Sequence, residues 1–138
     1  MIVVLDTNVL ASGAIARPGS TLALIVDLMR SGTYQVAISQ PILDELARTL
    51  ATSYFSRRIT PADSALYLLT VTTAAITFPI IVAVHGVATH PEDDLILATA
   101  LSAQADYLVT GDAQLQALGA YRGVPIISPR EFLSRLSP

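Results

Sequence analysis

Asp6, Glu45, Asp93 and Asp112 are the residues of this chain whose types and settings suggest shared chemistry. Asp6 closes the apolar run Ile2-Val3-Val4-Leu5, and Asp112 follows Tyr107-Leu108-Val109-Thr110-Gly111. Glu45 and Asp93 lie in helical stretches opened by Pro41 and Pro91. Acids at the carboxyl ends of strands stand where open α/β sheets bind their ligands. Carboxylates brought together from remote segments repel one another unless something positive sits between them, and the simplest candidate is a divalent metal.

Each acid also has an ordinary structural reading. Asp6 fits a cap or turn after its strand, and Asn8 fits the same work. Glu45 sits between apolar Leu43 and Leu46, yet a plain exposed glutamate is the alternative. Its neighbour Asp44 has Arg48 four residues on, a solvated pair worth about 0.3 kcal/mol. Asp93 and Asp94 open a helix expected over 91–104, where negative charge suits the helix dipole. Asp63 and Glu131 hold the same third position in their own helices. Asp93 continues the stripe Ile96, Leu97 and Ala100, whereas Asp94 lies about a quarter-turn round, so geometry favours Asp93 for a site. Asp112 fits a cap on the helix after Ala113, with the Thr110 hydroxyl beside it. His85 and His90 read as loop residues.

The elements that must position these acids alternate. Strands are expected at Ile2 to Leu5, Gln35 to Ser39, Tyr107 to Thr110 and Val124 to Ile127, with a weaker fifth at Ile80 to Val84. The first is apolar on both sides, as in a parallel sheet covered on both faces. Between the strands run helical stripes: Leu22, Ile25, Val26 and Met29, then Ile42, Leu46 and Leu50. Thr60-Pro61, His90-Pro91, Ser128-Pro129 and Gln40-Pro41 each mark a helix start. Strands alternating with helices define an α/β domain. Ser53 to Thr60 is the most polar connection and the expected mobile segment. Its Arg57 and Arg58, after Tyr54 and Phe55, suit RNA or a partner peptide as well as a solvated bend.

With 138 residues, 1–138 reads as a single domain. Hydrophobic residues make up 52% and charged residues 14%, with mean hydropathy +0.57. Such an excess implies an apolar surface left over for a homodimer, a higher homo-oligomer or another partner. Apolar stretches fall short of the roughly 20 residues that span a bilayer, and no secretory signal is expected. With Cys 0, disulfides and thiolate metal sites are excluded, and a cytoplasmic location is the default expectation. The net charge of −3 excludes nucleic-acid binding by bulk attraction, so any such contact is local and bridged by a cation. The basic residues are all arginine. Phosphatase and receiver domains also place Asp at strand ends, but they require a lysine near the acids.

Taken in order, these segments resemble the PIN domain family, in particular the VapC-like toxin component of bacterial toxin–antitoxin systems. The similarity runs through Val3-Val4-Leu5-Asp6-Thr7-Asn8-Val9-Leu10 with Ser12-Gly13, then Ile38-Ser39 with Ile42-Leu43-Asp44-Glu45-Leu46. It continues through Pro91-Glu92-Asp93-Asp94 with Leu97, and Ala105-Asp106-Tyr107-Leu108-Val109-Thr110-Gly111-Asp112. It closes with Gly123 to Leu133. The resemblance implies a three-layer α/β/α sandwich around a mostly parallel four- or five-stranded sheet. It also implies an endoribonuclease dependent on Mg²⁺ or Mn²⁺, with an RNA substrate and a cognate antitoxin protein. Asp6, Glu45, Asp93 and Asp112 would be the catalytic, metal-holding acids, with Asn8, Thr110 and Asp94 as polar supports. Relatives often carry a second acid two residues after the position of Asp112; here that residue is Gln114, which weakens the case for a second metal. The alternative is a non-catalytic PIN-fold module that binds a protein or RNA partner.

Overall fold

The computed structural model describes residues 1–88 and 90–136. The chain starts with β1 (Ile2–Leu5), whose Val3, Val4 and Leu5 are 0, 0 and 1% exposed. Covering such side chains on both faces stabilises the fold by about 1.5–3 kcal/mol each. Helices α1 (Thr7–Ala14) and α2 (Thr21–Arg30) lead to β2 (Gln35–Ile38). Then come α3 (Gln40–Leu50), α4 (Ser53–Ser56), α5 (Pro61–Ala74) and β3 (Ile76–Thr77). The second half runs through α6 (Pro91–Ser102), β4 (Tyr107–Val109), α7 (Ala113–Ala117), β5 (Ala120–Tyr121), β6 (Val124–Ile127) and α8 (Pro129–Leu136). All four proline-marked helix starts are used. The hydroxyls of Thr60 and Ser128 accept the N–H of Asp63 and Glu131, each at 3.1 Å.

Among the described residues, six strands form one sheet in the order β3-β2-β1-β4-β6-β5. Every pairing is parallel except β5 with β6. The chain winds outward from β1 through β2 to β3, then returns to add β4 and β6 on the other side. The reversal falls between β1 and β4, and the crevice at their carboxyl ends is where such sheets bind ligands. The expected three-layer α/β/α architecture is present, but the sheet has six strands among the described residues where four or five were expected, because the two-residue β3 and β5 extend its edges.

Four expected strands are found, but Ile80 to Val84 is not one. The edge strand lies earlier, at Ile76–Thr77, and pairing stops at the Phe78 N–H bond to Ile38 O (2.7 Å). Pro79 follows, and proline has no N–H to extend a ladder. The N–H groups of Ile81 and Val82 turn instead to Ser102 Oγ, at 2.9 and 3.2 Å. The 53–60 segment contains α4, whose Phe55 is buried. Arg58 lies 3.8 Å over the Tyr54 ring and donates to Tyr54 O.

Close approach of helices shapes the region behind β1. At Gly13 a Cβ would meet Val26 Cγ2 at 2.5 Å, so only glycine lets α1 lie this near α2. Tyr67 of α5 reaches through to donate its hydroxyl to Leu10 O at 2.6 Å. Beside α2, Phe132 of α8 is fully buried, edge-on to Tyr34. No helix among the described residues is long and apolar enough to cross a membrane.

Candidate metal centre

Asp6 stands where strand becomes helix. Its N–H still pairs with Val109 O of β4 (2.9 Å), while its carbonyl already accepts the Leu10 N–H of α1 (3.1 Å). No loop intervenes, so the carboxylate is held at the switch point and is only 4% exposed. Its Oδ2 accepts the Thr110 hydroxyl at 2.7 Å. Thr110 is fully buried, and its own N–H is tied to Ile127 O of β6 (3.0 Å). The same hydroxyl oxygen accepts the Asp112 N–H at 3.0 Å. One side chain therefore links the two strand-end acids.

Glu45 comes from α3, which packs beside α1. Thr7, 2% exposed, donates its hydroxyl to Glu45 Oε2 at 3.3 Å. Asp93 lies half-buried in the first turn of α6, a helix laid against β1, β2 and β4. Asp112 realises its ordinary role: Oδ1 accepts the N–H groups of Gln114 (2.7 Å) and Leu115 (3.1 Å), capping α7. Its charge nonetheless acts on Asp6 and Asp93.

The electrostatics tie the four acids together. Burial raises the Asp6 carboxyl; the Thr110 hydroxyl and the amides of Thr7 and Asn8 oppose this, and the Asp112 charge adds to it. Burial likewise raises Glu45, against the Thr7 hydroxyl and Arg48 but with the charges of Asp6 and Glu92. Asp93 is pushed up to about 6, by burial first and then by Asp6 and Asp112, with His90 opposing and Glu45 adding. The single ion pair among the described residues joins Arg135 to Glu131, so none of the four acids is neutralised by one. Asp44 pairs with Gln40 Nε2 (2.9 Å) rather than with Arg48.

The supports expected around the acids divide. Thr110 touches two of them. Asn8 is exposed and lines a cleft with Ser12, Leu22, Gly111, Asp112 and Pro129. Asp94 is more buried than Asp93 and touches no other acid in the hydrogen bonds seen. Its Oδ2 accepts Gly86 N–H (3.0 Å), and its Oδ1 accepts those of Val87 (3.2 Å) and Ala88 (2.8 Å). The stripe reading of α6 missed this because the helix is buried on almost every side. Thr7 was also missed, although its place between Asp6 and Asn8 is a usable signal.

In donor chemistry the four acids fit a hard divalent cation: oxygen ligands, mutual repulsion and no competing ion pair. Among the described residues, however, no group of three or more His, Asp and Glu is gathered tightly enough to hold a metal as placed. The fit lies in the kind of donor and the shared field, not in closed coordination.

A doubly wound α/β domain with an acidic centre at its switch point is the class that fold and site define. The PIN domain profile matches residues 2–114, and the chain belongs to that family. Two solved structures share the fold. VapBC2 from Rickettsia felis, bound to a DNA fragment from its promoter, superimposes with a TM-score of 0.65 at 17% identity, over 93% of this chain and 98% of that one. PAE2754 from Pyrobaculum aerophilum gives 0.59 at 19% identity, over 99% and 90%. No curated protein matches in sequence.

Proposed function

We propose that this PIN domain is a metal-dependent endoribonuclease and the toxin of a toxin–antitoxin pair. The observation that carries the reading is the shared field of the four acids: Asp6, Glu45 and Asp93 are raised by burial first and then by the charges of their fellow acids, Asp112 among them, and none has an ion-pair partner among the described residues. Asp6 and Asp93 would be the central holders of Mg²⁺ or Mn²⁺, with Glu45 and Asp112 completing the oxygen set. When bound, the cation supplies an activated water and stabilises the leaving oxygen of a phosphodiester. The chain's own residues do the rest. The Thr110 hydroxyl fixes which way the Asp6 carboxylate faces, and Thr7 does the same for Glu45. Without a cation the acids repel an RNA phosphate, so binding and cleavage are gated together.

Likeness to a VapBC complex supports an antitoxin partner, and the toxin reading places the protein with RNA in the cytoplasm. Leu66 and Leu69 on the outer side of α5, 61 and 62% exposed, suit association with a second copy or with the antitoxin. The alternative, a non-catalytic PIN-fold module, is favoured by the absence of a gathered ligand group among the described residues. Incubation with structured and single-stranded RNAs in Mn²⁺, Mg²⁺ and excess chelator separates the two. Metal-dependent cleavage abolished in Asp6→Asn supports the nuclease; cleavage persisting in chelator, or none in any metal, refutes it.

A further inference from the structure

The cleft between α1, α2 and the start of α8 encloses about 270 Å³ and reaches the acid centre at Asp112. Its lining is mostly apolar, with Val9 of α1, Leu22 of α2 and Pro129 of α8 as walls. Asn8 and Ser12 complete it, four residues apart and therefore on one face of α1. Neither the Asn8 carboxamide nor the Ser12 hydroxyl has a hydrogen-bond partner among the described residues. The walls stand on packed helices, because Gly13 lets α1 lie against α2. The cleft is thus formed before anything enters it.

Apolar walls with a few convergent polar groups are the pattern of a small-molecule site, and such sites start near about 300 Å³. The volume here suits one ring system rather than a whole nucleotide. A carboxamide offers both a donor and an acceptor, and a hydroxyl offers either. That pair matches the edge of an uncharged heterocycle, while Asp112 at the border repels a phosphate or carboxylate. We propose that the cleft seats the nucleobase adjoining the scissile phosphate on the Asp112 side, with Asn8 and Ser12 reading its hydrogen-bonding edge. The inference rests on the nuclease reading and adds a substrate class to it. A base enters such a cleft only when unstacked and unpaired, so the RNA is single-stranded at the cut. It also gives Asn8 work other than supporting the carboxylates: the acids hold the cation, and α1 turns its next polar residues to the base.

The test uses a single-stranded RNA offered in Mn²⁺, an uncleavable analogue of it, and versions of both with one abasic position walked along the chain. In the parent, an abasic position beside the cleaved bond should raise KM about tenfold, the scale of one or two lost hydrogen bonds, with kcat within about twofold. The double variant Asn8→Ala, Ser12→Ala should raise KM similarly on intact RNA, no longer sense that position, and keep parental Mn²⁺ affinity by calorimetry. Ser12→Ala alone puts the best helix former at a half-buried site, so it folds whatever the double variant does, and should show part of the loss. Three results overturn the subsite while leaving the nuclease intact: cleavage with no abasic effect beside the bond, variants as base-sensitive as the parent, or Mn²⁺ affinity that falls with the carboxamide. If no RNA is cleaved in any metal, the nuclease reading fails, and binding of the uncleavable set decides the subsite. Equal affinity at every abasic position sinks it; a base preference lost in the variants upholds the cleft as a base seat without catalysis.

Discussion

Replacing Asp6 by Asn separates charge from shape, because the two side chains are isosteric and Asn keeps an oxygen for the Thr110 hydroxyl. Burial raises the Asp6 carboxyl, with the Asp112 charge adding to the rise. Metal-free folding therefore places an anion where ionisation is resisted. The Thr110 hydroxyl and the amides of Thr7 and Asn8 cancel part of this resistance. The substitution releases that resistance near pH 8, where the parent carboxyl must be ionised. For a chain of this size each kcal/mol so released moves the unfolding midpoint up by about 3–5 °C.

The sign follows from proton counts. Asp6 and Asp93 have folded pKa values above their unfolded ones, so the folded state holds more protons and loses stability as pH rises. For Asp93 the window runs from 3.8 to about 6. Solvent reaches this half-exposed carboxylate, so its share is about 1 kcal/mol rather than the roughly 3 kcal/mol of an unscreened shift. Asp6→Asn should therefore melt above the parent in excess chelator, by more near pH 8 than near pH 5. In Mn²⁺ at about a hundred times its Kd the parent gains about 2.7 kcal/mol, and the order should reverse. Thermal melts at both pH values, with and without Mn²⁺, decide it. A variant no more stable than the parent near pH 8 in chelator, or equal Mn²⁺ gains for both proteins, refutes the shared-field account.

Thr110→Val preserves shape but removes a hydrogen bond to a buried carboxylate and the acceptor of Asp112 N–H. Urea unfolding near pH 8 should show a loss of about 2–3 kcal/mol, with Thr110→Ser close to the parent. Thr7→Val should weaken Mn²⁺ binding about tenfold by calorimetry, since Glu45 loses its orienting hydroxyl. Phe132→Ala, at a fully buried edge-on contact with Tyr34, should lose about 3–5 kcal/mol in the same denaturant assay. Initial cleavage rates at limiting metal should rise through about pH 6 as Asp93 deprotonates, and saturating metal should move that limb to lower pH; a flat profile would place the controlling acid elsewhere.

What could be read from the sequence is what has local causes. Each proline taken to mark a helix start stands in the first two residues of a helix, and the apolar run before Asp6 is a doubly covered strand because no polar residue interrupts it. The weak fifth strand failed for an equally local reason, Pro79, visible but outweighed by the apolar residues after it. The supports of the acids are another matter. Thr110 and Asp6 are 104 residues apart, and only the parallel pairing of β4 with β1 brings them together. Asp94 holds a loop with no periodicity, so helical position alone pointed it the wrong way. Asp112 shows why the competing readings of an acid need not exclude one another. A cap on α7 engages Oδ1 alone, and the charge remains in play for Asp6 and Asp93. A residue can thus satisfy every expectation of a turn aspartate and still belong to a cation's oxygen set, because the first role uses a hydrogen-bond acceptor and the second uses a field.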